Sequence, residues 1–297
     1  MFCTNPITFL AICMCLCTYN VSAQQPPAKD WIKLFNGKNL DGWDIKIAGQ
    51  PLNDNFKNTF RVEDGMLRIA YDQYVNFDGK FGHLYYNKPY SYYLLRYQYR
   101  FTGNQTPGGA SWNVRNSGVM IHSQSAKSNS IGQDFPVSVE VQLLGGLDKG
   151  ERNTGNICTP GTQVHIKGEL SQAHCVNSTS KTYNGDQWVS MTVLVLGDSI
   201  VKHIVEGDTV LTYTNVEVGG GFVNKTYDFK SAHIDNEDYW QKLQNTPLTG
   251  GYIALQAESH PIDFKNIELL NLEGCTDKKA KNYKAYFLKS DNKLCRY

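Results

Sequence analysis

Polar side chains that can do acid–base chemistry occupy alternate positions of three short runs, 117–122, 137–144 and 250–264. In each run apolar residues recur at every second position, and carboxyl, amide, phenol or imidazole groups stand between them. These polar residues are His122, Glu140, Gln142, Tyr252, Gln256, Glu258 and His260. Because side chains of a β-strand alternate between its two faces, the pattern predicts strands with a polar row on one face.

Glu140, His260 and His122 are the candidate catalytic groups, since carboxylates and imidazoles transfer protons. Glu140 is flanked by valines in mid-strand, and a carboxylate with so little solvent needs partners or a function. A polar row can equally be the solvated face of an antiparallel sheet, and a lone histidine is more often a structural group. Glu140 and His260 are also candidate ligands of a divalent metal, whose identity the sequence does not specify.

The elements that must position these groups are short strands. Turn signals such as Asn36-Gly37, Asp64-Gly65 and Asn184-Gly185 separate apolar-alternating runs, which predicts an all-β sandwich or barrel. The clearest predicted strands are 66–70, 92–101, 117–122, 137–144, 188–196, 200–205, 210–216, 252–257 and 264–272. Two longer loops are predicted at 102–112 and 219–249, and the second contains a short helix around Glu237–Leu243. His203 shares a strand face with two valines, which favours core packing.

The composition is that of a globular protein. The chain has 297 residues, 41% of them hydrophobic, and a formal net charge of +1, which argues against electrostatic binding of nucleic acid. Residues 1–23 have an apolar stretch and a small-residue cleavage pattern ending at Ala23, which predicts a signal peptide and a secreted or periplasmic protein. A lipoprotein modified at Cys17 is the weaker alternative, and no later apolar run predicts a membrane span. Residues 24–30 form a short lead segment.

Four of the eight cysteines lie in the predicted signal peptide, which leaves Cys158, Cys175, Cys275 and Cys295. In an oxidising compartment the local pairings, Cys158 with Cys175 and Cys275 with Cys295, are favoured among the three that are possible. Zinc binding is the competing interpretation, but the chain lacks the close C-x-x-C spacing typical of it.

Several motifs resemble those of one family, the domain-of-unknown-function 1080 proteins, also called 3-keto-disaccharide hydrolases. The resemblance runs from about residue 31 to 272. Its motifs are LFNGKNLDGW at 34–43, FRVEDGML at 60–67, NSGV at 116–119, EVQ at 140–142 and the stretch 251–267 ending FKNI. Residues 273–297 are similar to short GCTD…NY…C-x-Y appendages of secreted Bacteroidetes proteins, which implies a small structural cap closed by a disulfide.

The family resemblance implies a concanavalin A-like jelly-roll sandwich of two antiparallel sheets whose concave face binds a sugar. Glu140, His260 and His122 would then line the concave face, with Trp112 or Tyr252 available to stack on the sugar. The other substrate-binding candidates are Gln142, Glu258, Gln256, Asn116 and Arg115. The alternative for Arg115 and Asn116 is a turn cap.

The resemblance also implies a reaction. Family-16 glycosidases of the same fold carry E-x-D-x-x-E on their catalytic strand, whereas Gln142 stands at the middle acid here and the last acid is missing, which disfavours direct displacement at the anomeric carbon. The expected function is cleavage of a glycoside oxidised at C3 by a separate dehydrogenase, through removal of the C2 proton and β-elimination. No nucleotide or organic cofactor is expected. A conventional glycosidase using Glu140 and Glu258, and a non-catalytic carbohydrate-binding protein, remain as alternatives.

Overall fold

The structure, a computed structural model, describes residues 26–219 and 233–297. The predicted signal peptide therefore lies outside the described residues. One α-helix is found in them, α1 (Glu237–Leu243), at the predicted place. The strands, in chain order, are β1 (Ile32–Lys33), β2 (Trp43–Ile47), β3 (Phe60–Glu63), β4 (Met66–Ile69), β5 (Gly82–Tyr86), β6 (Tyr92–Phe101), β7 (Asn116–Ser123), β8 (Val139–Leu144), β9 (Asn156–Cys158), β10 (Thr162–Ile166), β11 (Glu169–Leu170), β12 (Cys175–Val176), β13 (Val189–Leu196), β14 (Ile200–Val205), β15 (Asp208–Val218), β16 (Tyr252–Ala257), β17 (Ile262–Asn271), β18 (Glu273–Gly274) and β19 (Lys289–Ser290).

Most strands belong to two large antiparallel sheets. The ten-stranded sheet runs β11-β10-β15-β14-β13-β6-β17-β4-β3, with β1 paired to β17, and the seven-stranded sheet runs β12-β9-β8-β7-β16-β5-β2. The predicted all-β sandwich of two antiparallel sheets is confirmed. All nine predicted strands are present, and no end differs from its prediction by more than two residues.

The core lies between the sheets and consists of the apolar residues of the alternating strands. Val139, Val141 and Leu143 of β8 and Val119 and Ile121 of β7 all belong to it, as their alternation predicts. The opposite side chains of β7 and β8 therefore lie on the outer face of the seven-stranded sheet, the face turned away from its partner. The predicted packing of His203 in the interior is also confirmed, since its ring bonds the Gly155 carbonyl and the Tyr213 hydroxyl at 2.8 and 3.0 Å.

The stretch 250–264 is divided between the two sheets. β16 ends at Ala257 in the seven-stranded sheet, and β17 begins at Ile262 in the ten-stranded sheet. Ser259, between them, has a positive φ of 76°, which breaks the strand conformation. The simple alternation expected through His260 therefore stops at the crossover.

Residues 273–297 form a small appendage. β18 pairs with β19 in parallel, and the Cys275–Cys295 disulfide closes the unit. Lys284 Nζ lies 2.8 Å from Asp30 Oδ1, which joins the appendage to the lead segment. Both predicted disulfides are present. A search of the described helices finds none with the length and apolar character needed to cross a membrane.

Candidate functional site

A cavity of about 240 Å³ opens on the outer face of the seven-stranded sheet, over β7, β8, β9 and the end of β16. It brings together predicted site residues from three strands: Asn116 of β7, Glu140 and Gln142 of β8, and Glu258 just after β16. Trp112, from the loop before β7, also lines it. The other residues that line it are Phe135, Cys158, Pro160, His174 and Cys175.

Glu140 is placed by the register of three strands. It lies opposite Met120 of β7 and opposite Cys158 of β9. Its carboxyl group leans over Gly118, where an added Cβ would come within 2.5 Å of Glu140 Oε1. The absence of a side chain at Gly118 therefore provides the room in which the carboxyl group of Glu140 lies.

Glu140 and Glu258 are a buried carboxyl pair, with exposed fractions of 6% and 3%. Within the described residues neither group accepts a hydrogen bond, and Glu258 Oε2 is buried without a partner. Burial raises the pKa of both carboxyl groups, and the nearby Glu140 raises the pKa of Glu258 further. Two such groups in one site cannot easily both ionise, so the pair holds one proton more readily than none.

Two amides lie beside the pair. Asn156 Nδ2 donates a hydrogen bond to Gln142 Oε1 at 3.1 Å. The amino group of Gln142 does not take part in this bond. Asn116 Nδ2 donates to the Trp112 carbonyl at 3.3 Å, and Asn116 Oδ1 is buried without a partner in the described part of the chain. The cavity thus offers one amide donor and one amide acceptor next to the two carboxyl groups.

An aromatic group forms one rim of the cavity. Trp112 is 54% exposed, and its ring lies nearly parallel to that of Phe81, with centroids 6.3 Å apart. Phe81 in turn packs on Phe135 at 4.8 Å. A flat apolar surface at the mouth of a polar cavity is an arrangement suited to the apolar face of a sugar ring.

The sequence prediction missed His83 and Lys46, which extend the polar row. In the sheet register Lys46 lies opposite His83, and His83 opposite Gln256. Gln256 is fully buried with both amide atoms unpaired among the described residues, and burial lowers the pKa of His83 to about 3. The apolar Leu84 was the signal that could have revealed His83. Leu84 packs in the core between the sheets, so alternation places its neighbour His83 on the outer face.

His260 does not line this cavity. It lies in the crossover segment between the two sheets, and its ring packs edge-on against Phe101 of the ten-stranded sheet, with centroids 5.7 Å apart. Burial, followed by the charge of Arg115, lowers the pKa of His260 to about 4. The prediction that His260 shares a face with Glu258 is wrong, because the positive φ of Ser259 redirects the chain between them.

His122 is also misplaced by the prediction. Its Nε2 lies 3.0 Å from the carbonyl oxygen of Gly197, in the turn between β13 and β14 of the opposite sheet, so the ring does not point into the cavity. The cause is a bulge: Tyr252 pairs with Ser123 but Ala254 pairs with Met120, which leaves one extra residue on β7. His122 lies in this bulge, and its backbone has a positive φ of 50°.

Two predicted substrate contacts lie elsewhere. Tyr252 lines a different cavity, together with His122 and residues of helix α1. Arg115 pairs with Asp186 at 3.1 Å and lies over the Phe101 ring. Neither residue lines the cavity of the carboxyl pair, whereas the exposed His174 does.

The predicted metal ligands Glu140 and His260 do not meet in this cavity. Within residues 26–219 and 233–297, no group of three or more His, Cys, Asp or Glu side chains is arranged to hold a metal ion. The donor set of the cavity consists of two carboxyl groups and amide oxygens, which suits hard cations more than soft ones.

Comparison with known proteins gives a family and a set of similar folds. Residues 30–270 match the family model of the 3-keto-alpha-glucoside-1,2-lyase-like domain. Two solved structures, each named "putative glycosyl hydrolase" of Parabacteroides distasonis ATCC 8503, are 18% and 17% identical, with TM-scores of 0.47 and 0.45. The match to the first covers 83% of this chain and 97% of that structure's chain. The match to the second covers 81% of this chain and 98% of that structure's chain. The carbohydrate-binding module CBM66 of Bacillus subtilis is 9% identical with a TM-score of 0.42, and the match covers 77% of this chain and 96% of the module. The search of curated proteins found no match.

Proposed function

The chain belongs to the 3-keto-alpha-glucoside-1,2-lyase-like domain family, and from this premise we propose that it cleaves 3-keto-glycosides by β-elimination. Its family supports a carbohydrate-active function of the glycoside-hydrolase type. The finer assignment, to a lyase acting on an oxidised sugar, rests on one observation: Glu140 and Glu258 form a buried pair that no protein donor stabilises as a dianion within the described residues.

The pair supplies a base and an acid. Burial raises the pKa of both carboxyl groups, and the charge of Glu140 raises the pKa of Glu258 further, so the site holds one carboxylate and one carboxylic acid. We assign Glu140, on β8, as the general base and Glu258, after the end of β16, as the general acid.

The proposed reaction removes one proton from C2 of the sugar and delivers one proton to the glycosidic oxygen. The ketone at C3 acidifies the proton on C2, and Glu140 removes it to form an enolate between C2 and C3. The enolate re-forms the ketone, a C1–C2 double bond appears, and the bond from C1 to the glycosidic oxygen breaks. Glu258 protonates that oxygen, so the products are a 2-hydroxy-3-keto-glycal and an alcohol. Proton exchange between the two neighbouring carboxyl groups resets the site.

Stabilisation of the enolate is the second requirement. The Gln142 amino group lies beside the carboxyl pair and is held by the bond from Asn156 to its oxygen, so it can donate to the oxygen on C3. Loss of one such donor costs on the order of 3 kcal/mol in other enzymes. A divalent cation bound here would be held by Glu140 and Glu258, and it would supply Lewis-acid stabilisation of the same oxygen.

We propose that the protein acts outside the cytoplasm on a substrate oxidised at C3 by a separate dehydrogenase. Support for the location comes from the two disulfides and from the apolar segment of residues 1–23. Later addition of water to the glycal would complete a net hydrolysis.

A conventional glycosidase is the second candidate, because Glu140 and Glu258 do line one cavity. A retaining mechanism would use the same protonation states, one carboxylate and one carboxylic acid. The lyase is favoured over it because Gln142 stands at the position where family-16 glycosidases carry the middle acid of their catalytic strand. A carbohydrate-binding protein would need neither carboxyl group.

The test uses matched native and 3-keto forms of one glucoside, with wild type, Glu140→Gln and Glu258→Gln. We expect cleavage of the 3-keto form alone, with absorbance of an enone, and loss of at least about 10²-fold in kcat in each variant. Cleavage of the native glucoside would instead support the glycosidase, and saturable binding without product would support the binding protein.

A further inference from the structure

A second cavity, of about 460 Å³, lies between the end of β7, the start of β16 and helix α1. It shares no described lining residue with the cavity of the carboxyl pair. Asn116 lines one cavity and His122 the other, six positions along β7, which corresponds to about 20 Å of strand. The two cavities therefore lie toward opposite ends of β7.

The backbone at this cavity is specially shaped. Gly251 approaches β7 so closely that an added Cβ would lie 2.5 Å from the carbonyl carbon of His122. The same place holds the bulge that gives His122 its positive φ. Bulges of this kind redirect side chains and are common next to functional sites.

Three polar atoms of the lining side chains are buried and have no partner among the described residues: the hydroxyl oxygen of Ser123, His122 Nδ1 and Trp240 Nε1. The last two belong to residues exposed by only 2% and 6%. His122 Nε2 lies 3.0 Å from a carbonyl oxygen, so it carries the hydrogen and Nδ1 is an acceptor. Burial lowers the pKa of His122 to about 4, which keeps the ring neutral. Trp240 Nε1 is a donor only.

An unpaired acceptor together with an unpaired donor favours a hydroxylated ligand. A hydroxyl group both donates and accepts, whereas a cation would leave the indole N–H unpaired and an anion would leave Nδ1 unpaired. No described lining residue is an Asp, Glu, Lys or Arg. Tyr239, 54% exposed, adds an aromatic surface of the type that packs on sugar rings.

We propose that this cavity is a second carbohydrate site, which binds a neutral sugar unit away from the reacting one. The inference does not depend on the proposed reaction, because it rests on different residues and requires no oxidised sugar. It gives a role to helix α1, none of whose residues lines the cavity of the carboxyl pair.

The test measures binding of methyl α-D-glucopyranoside to the full protein by saturation-transfer NMR, in wild type, Trp240→Phe, Tyr239→Ala and Trp112→Ala. Trp240→Phe removes the indole donor but keeps a ring, and Tyr239 is exposed, so its loss does not disturb the core. We expect Trp240→Phe and Tyr239→Ala to weaken binding about threefold to tenfold, as loss of one hydrogen bond or stacking contact does. A Tyr297→Ala variant, which alters another exposed tyrosine in the appendage, should bind normally.

Absence of saturable binding in wild type would overturn the proposal, and so would normal binding in both Trp240→Phe and Tyr239→Ala. Binding that disappears only in Trp112→Ala would place the sugar in the first cavity and would also overturn it. Cleavage of a small 3-keto-glucoside should be unchanged in Tyr239→Ala, so failure of this proposal and failure of the proposed reaction remain distinguishable.

Discussion

Replacing Glu140 by Gln should stabilise the folded protein at neutral and alkaline pH while it removes activity. The wild-type carboxyl group is buried without a hydrogen-bond donor among the described residues, and its pKa in the folded state is raised by that burial. In the unfolded chain the same group ionises near the ordinary pKa of about 4.3. Above that pH the carboxyl group ionises in the unfolded chain but stays protonated in the folded protein. The free energy of unfolding of the wild type therefore falls as the pH rises.

The size of the effect follows from linkage. A raised carboxyl pKa contributes stability that is fully present below the unfolded pKa and is lost as pH rises through the folded pKa. Each unit of the raise is worth about 1.4 kcal/mol. We therefore expect Glu140→Gln to increase the free energy of unfolding at about pH 8 by at least that amount, or about 2–4 °C in Tm for a chain of this size. Near pH 4 the difference should almost vanish.

The assay is urea unfolding of wild type and Glu140→Gln across this pH range. Glu169→Gln, a glutamate exposed on β11, is the matched control and should show no pH-dependent gain. A difference in stability between wild type and variant that stays the same at low and high pH would refute the reasoning, because it would mean that the carboxyl group of Glu140 has the same pKa in the folded and unfolded states.

Three further predictions concern the walls of the cavity. Gly118→Ala places a Cβ 2.5 Å from Glu140 Oε1 and should lower kcat by about 10²-fold, whereas Gly132→Ala, whose nearest neighbour would be at 3.5 Å, should not. Trp112→Ala should raise KM about threefold to tenfold in steady-state assays, and Trp112→Phe should restore most of the loss. Replacing Cys158 and Cys175 together by Ser should lower the free energy of unfolding in urea by about 3 kcal/mol, the usual value for a loop of this length.

The sequence predicts the core strands well because their patterning is local. The valines of β8 face the interior and Glu140 and Gln142 face outward, as alternation requires. Helix α1 lies where its short pattern predicts it. For these elements, neighbouring residues carry all the information that is needed.

The errors arise where conformation depends on distant parts of the chain. His260 lies in the crossover between the sheets, and His122 lies in a bulge of β7 that Gly251 approaches closely, so neither displacement is visible in local alternation. His83 was missed because Leu84 and Tyr85 of the same strand are both buried, one on each face, which hides the period of two.

The most direct test of the central claim uses a 3-keto-glucoside carrying deuterium at C2. If Glu140 removes the C2 proton, wild type should release the alcohol with a primary kinetic isotope effect or, where proton removal is reversible, should wash the deuterium into water before cleavage, and Glu140→Gln should do neither. Release of the alcohol by wild type at an unchanged rate, with all deuterium retained at C2 of the sugar product, would contradict the account.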